Sequence, residues 1–457
     1  MKTASISFRE VKGFGFRFDA PVHLSEGVSA KRLMQSCPYE LLTIGDVSER
    51  VWHAGRWRRV YVNNPNNGIT LLGSSAILKS DLSKEKMISV KYTEDKEDKA
   101  LKKGWTLISC SGTIGNCAFA NAQHAEKLAS QHVIRVSPNN ILREGVIYAF
   151  LASKYGYSML TQGTFGSVIQ HIEPENVKSI PIPHFPETFQ EEVDDLMQES
   201  VRLREEAVDA LEEAKGLIMD FCQEEYATTR LKRFVSVKIK GVRSTLNTRF
   251  DPTIYINKGV QWVKSIQKQS TRLGDLNVMM WYPGIFKRAY VENGLPYLKG
   301  SSVFDVNPFK TCDHLSKART PKLDDLWLKE GMLLITCAGA CGLVKMITKE
   351  YEDKGAIGSP DIIRLVSNDT LFTTEYIFAY LQLPPIYDYM QSLKYGSVIE
   401  RFDIENIKTI PIVRPTEELS QAVTDIVKSY MAKTYRAFNC EEQAISMVER
   451  EIESWNK

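Results

Sequence analysis

The apolar positions of the chain change period several times, and each change predicts an element. Leu42-Thr-Ile-Gly-Asp46 reads as a short strand or a helix entry, and Gln131-His-Val-Ile-Arg-Val136 as a buried strand. Leu101-Lys-Lys-Gly-Trp-Thr-Leu-Ile-Ser-Cys-Ser-Gly-Thr-Ile-Gly115 reads as a turn, a buried strand and a small-residue loop, and Val146-Ile-Tyr-Ala-Phe-Leu-Ala152 as a short apolar helix. From Glu187 the period becomes helical. Val193, Leu196, Ser200, Leu203, Ala207, Ala210, Ala214, Leu217 and Phe221 follow alternating steps of three and four, a heptad seam with acidic residues on the other faces. A helix over most of 187–232 would be about 65 Å long at 1.5 Å per residue. A second stripe follows Pro415, with Leu419, Val423, Ile426, Tyr430, Ala437, Cys440, Ala444, Val448, Ile452 and Trp455. Neither stripe can be buried alone, so the two helices are expected to pair.

The same order of elements is written twice. Phe165-Gly-Ser-Val-Ile-Gln-His-Ile-Glu-Pro-Glu-Asn-Val-Lys-Ser-Ile-Pro-Ile-Pro183 returns as Tyr395-Gly-Ser-Val-Ile-Glu-Arg-Phe-Asp-Ile-Glu-Asn-Ile-Lys-Thr-Ile-Pro-Ile-Val413. The Phe16–Asp19 region is answered by Asn247–Asp251, Ile44-Gly-Asp46 by Leu273-Gly-Asp275, and Gly73-Ser-Ser75 by Gly300-Ser-Ser302. Leu101–Gly115 overlays Leu328–Gly342 without a gap, and Val133–Val136 is answered by Ile362–Leu365. A nearly constant offset along the chain means duplication. The organisation expected is therefore a domain over 1–186, a helical region over 187–235, a second domain over 236–413 and a second helical region over 414–457. The fold class is α+β: two tandem α/β domains, each followed by a long helix, the helices forming an antiparallel coiled coil with pseudo-twofold symmetry. Pro181 and Pro183 cannot donate to a ladder, so the end of the doubled stretch suits an edge strand.

Composition adds class limits. The 457 residues are 43% hydrophobic and 25% charged, as in ordinary globular proteins. No apolar run approaches the roughly 20 residues that cross a bilayer, and the N-terminus has no signal-peptide core, so a cytoplasmic protein that does not engage the membrane is expected. Eight Cys without Cys-x-x-Cys pairs suggest reduced thiols. Cys337 with Cys341, and Cys312 with His314, lack a second ligand pair; no metal site is expected. The net charge of +2 hides a separation: residues 187–232 and 414–457 together carry −11 and the remainder +13. A polyanion would be drawn to the remainder.

Catalytic signatures are missing. There is no phosphate-loop motif, dinucleotide fingerprint, nucleophile elbow or His-Glu-x-x-His. Leu383-Pro-Pro-Ile386 lacks the amide or acid that would accept from a target amine. Gly112-Thr-Ile-Gly115 and Gly339-Ala-Cys-Gly342 read either as phosphate cradles or as tight turns needing positive φ. What remains is a duplicate of basic, aromatic-bearing domains, for which the chemistry to expect is side chains reaching base edges and phosphates. The candidate DNA-binding residues are Arg56, Arg58, Arg59, Asn63, Asn64, Asn67 and Lys84 in the first domain, and Arg288, Lys299, Lys310, Lys317 and Arg319 in the second.

The two copies of the doubled stretch, the Gly-x-x-Gly loops at 112–115 and 339–342 and the helix after each Ile-Pro-Ile resemble the DNA-specificity (S) subunit of type I restriction-modification systems. The resemblance covers essentially the whole chain. It implies two target-recognition domains, each reading one half of a bipartite, asymmetric site in double-stranded DNA, with the helix pair fixing the gap. It also implies partners: methyltransferase (M) subunits, two of them, bringing S-adenosylmethionine, and restriction (R) subunits bringing ATP-driven translocation and Mg2+-dependent cleavage, with no catalysis or cofactor on this chain. Gln190 and Gln421 look like the family's glutamines at the helix starts. The stretches 49–72 and 278–299 align poorly with each other and are expected to hold much of the base readout. The alternatives are a specificity-like component of another phage-defence complex and a self-sufficient methyltransferase or nuclease.

Overall fold

The predicted strands pair into two copies of one sheet. In the computed structural model of the chain, the described residues are Phe8 and residues 26–162, 171–224, 226, 236–243, 249–396 and 400–455. Phe16–Asp19, Gly166, Ser167, Asn247 and Ser397, which the repeat analysis singled out, lie outside them. The first sheet has the order Ser48–Trp52, Val133–Pro138, Thr106–Ser109, Cys117–Phe119, and the second Val278–Trp281, Ile362–Ser367, Leu333–Thr336, Val344–Met346, every neighbouring pair antiparallel. Trp52 stands opposite Arg135, and Trp281 opposite Arg364. The buried runs Thr106–Ser109 and Leu333–Thr336 occupy inner positions, which is why they show no polar alternation.

A second, smaller sheet accompanies each copy, and here the copies diverge. In the first domain its order is Tyr61–Val62, Met87–Ser89, Gly68–Leu72, Leu128–Ala129; in the second it is Asp313–Leu315, Tyr290–Leu298, Ile357–Gly358. Both end on a parallel pair, Leu72 opposite Ala129 and Leu298 opposite Gly358. A fully buried arginine ties the two sheets together in each domain. Arg135 donates to the carbonyls of Val133, Lys99 and Ala129 at 3.0, 3.0 and 2.5 Å, and Arg364 to those of Ser359, Ile362 and Gly358 at 2.9, 2.6 and 2.7 Å. Burial lowers both guanidinium pKa values to about 10, so both remain charged at neutral pH, with carbonyl dipoles in place of water.

The doubled stretch closes each domain. Pro181–Pro183 pairs antiparallel with Leu41–Thr43, and Pro411–Val413 with Ser270–Arg272. Before each strand stands a short helix, Pro174–Lys178 or Ile404–Lys408, whose first residues are held by an asparagine: the Glu173 N–H donates to Asn176 Oδ1 at 3.3 Å and the Asp403 N–H to Asn406 Oδ1 at 3.1 Å. Farther upstream, His171 bridges to Ser111 and Arg401 to Ala338, fastening the stretch to the loop after the central strand.

The helix Glu187–Cys222 is shorter than the 187–232 expected, about 54 Å at 1.5 Å per residue. It stops because Gln223 takes a left-handed φ of 52°, while Gln269 donates to the Cys222 carbonyl at 3.2 Å and Trp262 to that of Glu224 at 3.3 Å. The second long helix is Glu417–Ser454. The chain divides into two units, Met1–Glu205 with Ala437–Lys457, and Glu206–Arg436, so each unit holds a piece of both helices. In the first, Val193, Met197 and Val201 share a core with Ala444, Ile445, Val448 and Ile452; in the second, Ala214, Ile218 and Cys222 share one with Val423, Val427 and Met431. Each unit therefore packs one part of each long helix into its own core. The buried stripe departs from the expected heptad: Met197, Ile218 and Cys222 are buried where Leu196, Leu217 and Phe221 were expected, because a straight helix repeats every 3.6 residues and drifts from a 3.5-residue seam. Gln190 is buried, donating to the Phe185 carbonyl at 2.7 Å and accepting from the Arg143 N–H at 3.2 Å. Gln421 does not repeat this role; it is exposed and donates to Asp425, while Ser420 is the buried residue, bonded to the Leu371 carbonyl. Among the described residues no helix is long and apolar enough to cross a membrane.

The closing pair offers a matched test. A Cβ on Gly274 would lie 2.6 Å from Lys408 Cβ, whereas one on Gly45 would meet Lys178 Cβ at an ordinary 3.4 Å. Gly274→Ala is expected to destabilise the protein by about 1–3 kcal/mol through overpacking. Gly45→Ala should stay within about 0.5 kcal/mol, both read from denaturant unfolding followed by circular dichroism.

Candidate nucleic-acid interface

The divergent segments begin after the matched tryptophans. Trp52 donates from Nε1 to the Asp98 carbonyl at 3.1 Å and Trp281 to that of Asp325 at 3.3 Å, so the starts of the stretches 49–72 and 278–299 are framework rather than variable surface. From Trp52 the chain enters an extended loop carrying Arg56, Arg58 and Arg59. The Trp57 ring has the Arg59 guanidinium 5.1 Å and the Lys99 ammonium 5.2 Å from its centroid, cation–π contacts that hold the loop down. Arg59 also donates to Gln131. Arg56 and Arg58 are exposed, and Arg58 lines a cleft of about 610 Å³ with Trp57, Val60, Lys91, Tyr92 and Glu94.

Beyond the loop, Asn63, Asn64 and Asn67 lie exposed around the 3-10 turn Pro65–Asn67. Asn64 accepts from the Asn66 N–H at 3.1 Å, so its oxygen shapes the turn. Tyr61 and Tyr92 are exposed, each with a lysine over its ring, Lys86 at 5.8 Å and Lys91 at 5.6 Å. Lys84 is half-buried on the preceding turn. Aromatic faces interleaved with cations suit the apolar and anionic parts of a polynucleotide together.

A polar chain connects this loop to the central hairpin. Arg59 donates to Gln131, Gln131 Nε2 lies 2.9 Å from His132 Nε2, and His132 Nδ1 lies 2.6 Å from Ser111 Oγ. With Nε2 accepting from the amide, Nδ1 carries the proton. Burial, then the positive neighbours Arg59, His171, Arg56 and His53, hold the His132 pKa below its ordinary value. Arg56 and Arg59 are the permanent cations near this ring.

In the second domain the loop after Trp281 leads to the strand Tyr290–Leu298. Tyr282 and Tyr290 are exposed, and Ile285 is 95% exposed. Arg288 donates from Nε to Tyr297 Oη at 2.7 Å, which raises its pKa, and its guanidinium stands 5.5 Å from that ring. Lys299 is ion-paired with Asp313 at 2.6 Å. Lys317 and Arg319 are exposed on a turn whose Ser316 N–H donates to the Ala289 carbonyl, which brings that turn beside Arg288. Lys310 does not join them: its Nζ is buried without a hydrogen-bond partner, and a buried ammonium presents nothing to a phosphate. Tyr92, Tyr282 and the histidines 53, 132 and 171 are further polar and aromatic groups of these faces that the sequence did not single out; the adjacent Lys91-Tyr92 pair was the available signal.

The glycine loops resolve as turns. Gly112, Gly115, Gly339 and Gly342 have φ of 78°, 81°, 72° and 85°. The N–H groups of Gly115, Gly339 and Gly342 donate to Ser109, Glu400 and Thr336, so these amides are committed within the domain rather than free to cradle a phosphate.

Residues 38–199 match the family described as Type I restriction modification DNA specificity domain. No curated protein matches the chain. Among solved structures the chain is similar to the S subunit of the type I restriction-modification system from M. genitalium, with 11% identity and a TM-score of 0.33, covering 91% of this chain and 96% of that one. It is also similar to the HsdS subunit from Thermoanaerobacter tengcongensis, with 13% identity and a TM-score of 0.29, covering 91% and 97%.

Arg56→Ala and Arg58→Ala are each expected to weaken duplex binding and to lower the slope of log K against log salt by about 1, the signature of one lost phosphate contact. Lys310→Met should change neither. Fluorescence anisotropy over a series of KCl concentrations reads both quantities.

Proposed function

We infer that this chain is a member of the type I restriction-modification DNA specificity family, whose domain model matches residues 38–199, and that each of its domains reads one half of a bipartite, asymmetric DNA site. The observation that carries this reading is the pattern of sameness and difference. The main sheets, the buried arginines, the matched tryptophans and the closing pairs repeat, whereas the smaller sheets and the loops entering them do not. Two readers of different half-sites need a common frame and unlike contact surfaces, because phosphate contacts set register while side chains at base edges carry sequence. A duplicated chain of this kind reads an asymmetric site without dimerising.

The partners follow from that family reading. Methyltransferase subunits, one per domain, would supply S-adenosylmethionine and extrude the target adenine; restriction subunits would supply ATP, Mg2+ and cleavage. This chain acts as the non-catalytic specificity subunit, and its helix pair sets the spacing between half-sites. About 54 Å of helix is comparable with one to two DNA turns of 34–36 Å.

Exchanging residues 1–186 for the first domain of another specificity subunit should alter one half of the methylated sequence only, read by sequencing methylated sites in cells carrying the partner subunits; alteration of both halves or of neither would sink the reading. Seven residues inserted into each long helix, between Ala207 and Ala214 and between Met431 and Ala437, keep the stripes in phase to about 20°. They should lengthen the preferred spacer, and an unchanged spacer removes the helices from that role. Methyl transfer or cleavage by the purified chain alone would favour a self-sufficient enzyme instead.

A further inference from the structure

We propose that the first domain binds one divalent transition-metal ion of the zinc class through His53 Nε2, His171 Nε2 and the carboxylate of Glu173. These ligand atoms all lie within 4.8 Å of one another. His53 Nε2 faces Glu173 Oε2 at 3.4 Å, and His171 Nε2 faces Glu173 Oε1 at 3.5 Å.

Hydrogen-bond accounting gives the first argument. His53 Nδ1 lies 3.0 Å from the Ala54 carbonyl, which can only accept, so Nδ1 carries the proton. A neutral His53 then turns a bare Nε2 lone pair toward a carboxylate oxygen, an arrangement that needs a proton or a cation between the two. A backbone carbonyl that fixes the tautomer and aims Nε2 is also the usual support of a metal-bound histidine. Distance gives the second argument. Direct charged N–H···O bonds run about 2.7–2.9 Å, whereas ligands at 2.0–2.1 Å in a tetrahedron stand about 3.3 Å apart. The observed 3.4 and 3.5 Å, one imidazole to each carboxylate oxygen, are longer than a direct charged bond and near that spacing, so a small rotation of the carboxylate would bring one oxygen to both nitrogens.

The third argument comes from the duplication. The positions equivalent to His53, His171 and Glu173 in the second domain hold Tyr282, Arg401 and Asp403. There the bridge to the hairpin loop and the asparagine-held helix start are kept without an imidazole. Framework needs therefore do not account for the two histidines. Their anchors are firm: His53 follows the paired strand Ser48–Trp52, His171 bridges to Ser111, and Glu173 is the N-cap residue of Pro174–Lys178. An ion here would tie the start of the arginine loop to the segment that closes the domain. His53 and His171 are only half-buried and Glu173 is exposed, so the ion has a route in and a water can complete the tetrahedron.

The test uses the full chain, untagged and stripped with a chelator, then titrated with Zn2+ by calorimetry and with Co2+ by visible absorption. Wild type should bind one more equivalent of Zn2+ than His53→Gln or His171→Gln, while His184→Gln should retain it. A tetrahedral Co2+ spectrum without a thiolate charge-transfer band reads the site in the unmodified chain, so a misfolded variant does not stall the test. Equal stoichiometry in wild type and both variants, no binding at tens of micromolar Zn2+, or a Co2+–thiolate band as the only signal would overturn the proposal.

Discussion

Each domain depends on a three-residue antiparallel pair between its beginning and its end. Such a pair would not stand alone in water. It holds because Ile182 and Ile412 are fully buried in the cores of their units, and because flanking bonds extend it: Ile44 N–H to the Ile180 carbonyl at 2.9 Å, His184 to Glu40 at 2.8 Å, Leu273 to Ile410 at 2.8 Å and Arg414 to Gln269 at 3.1 Å. Prolines at 181, 183 and 411 cannot donate, and a pair at the margin of the fold is where that loss costs least. The same pair aims the chain into its long helix, so closure and the launch of the helix are one constraint.

Around this constraint the domain is built to be rigid where it repeats. A charged arginine at the centre, solvated by three carbonyls, costs desolvation but joins two separate sheets. The tryptophan across from it caps a carbonyl in the short helical turn beyond, Lys96–Lys99 or Leu323–Leu326, each entered through a residue with left-handed φ, Asp95 at 45° and Lys322 at 50°. A left-handed lysine or aspartate at one position is unremarked; its recurrence at the equivalent position of the copy marks it as a requirement of the frame. Differences then gather in the loops and the smaller sheets, which is where a reader of base edges has to vary.

Much of this was legible in the sequence because duplication supplies an internal comparison. Val133-Ile-Arg-Val136 against Ile362-Ile-Arg-Leu365 marked matching strands, and Asn176 against Asn406 matching positions of the closing stretch, but a single sequence could not say that the arginines are buried internal cations and the asparagines capping side chains. The length of the central helix was not legible: the helical pattern runs past Cys222, and the stop comes from Gln269 and Trp262, which are distant in sequence. The seam failed for a related reason, since residues one apart, such as Leu217 and Ile218, are both apolar and only the accumulated 3.6-residue period selects between them. Among candidate contacts, Lys310 looked like any surface lysine because nothing local signals a buried Nζ. The loop arginines were candidates from residue type and position alone, whereas nothing in the sequence placed His53 near His171, which approach only once Pro181–Pro183 has returned to Leu41–Thr43.

The two units differ at the helices in one further respect. In the first unit Glu441, 2% exposed, accepts from the hydroxyl of Tyr148 and from Arg204 at 2.6 Å, and burial holds the Tyr148 phenol well above its ordinary pKa, as a neutral donor. The equivalent positions in the second unit are Phe378, Leu211 and Thr434, where Phe378 packs on Tyr430 with centroids 5.6 Å apart. A satisfied buried ion pair adds little net stability compared with an apolar contact, yet separating its partners leaves an uncompensated charge at a cost of about 3–5 kcal/mol. Sliding one helix along the other, or pairing it with the wrong end, would impose that cost only in the first unit. Apolar stripes of similar period tolerate several alignments; within the first unit the buried Arg204–Glu441 contact favours one of them.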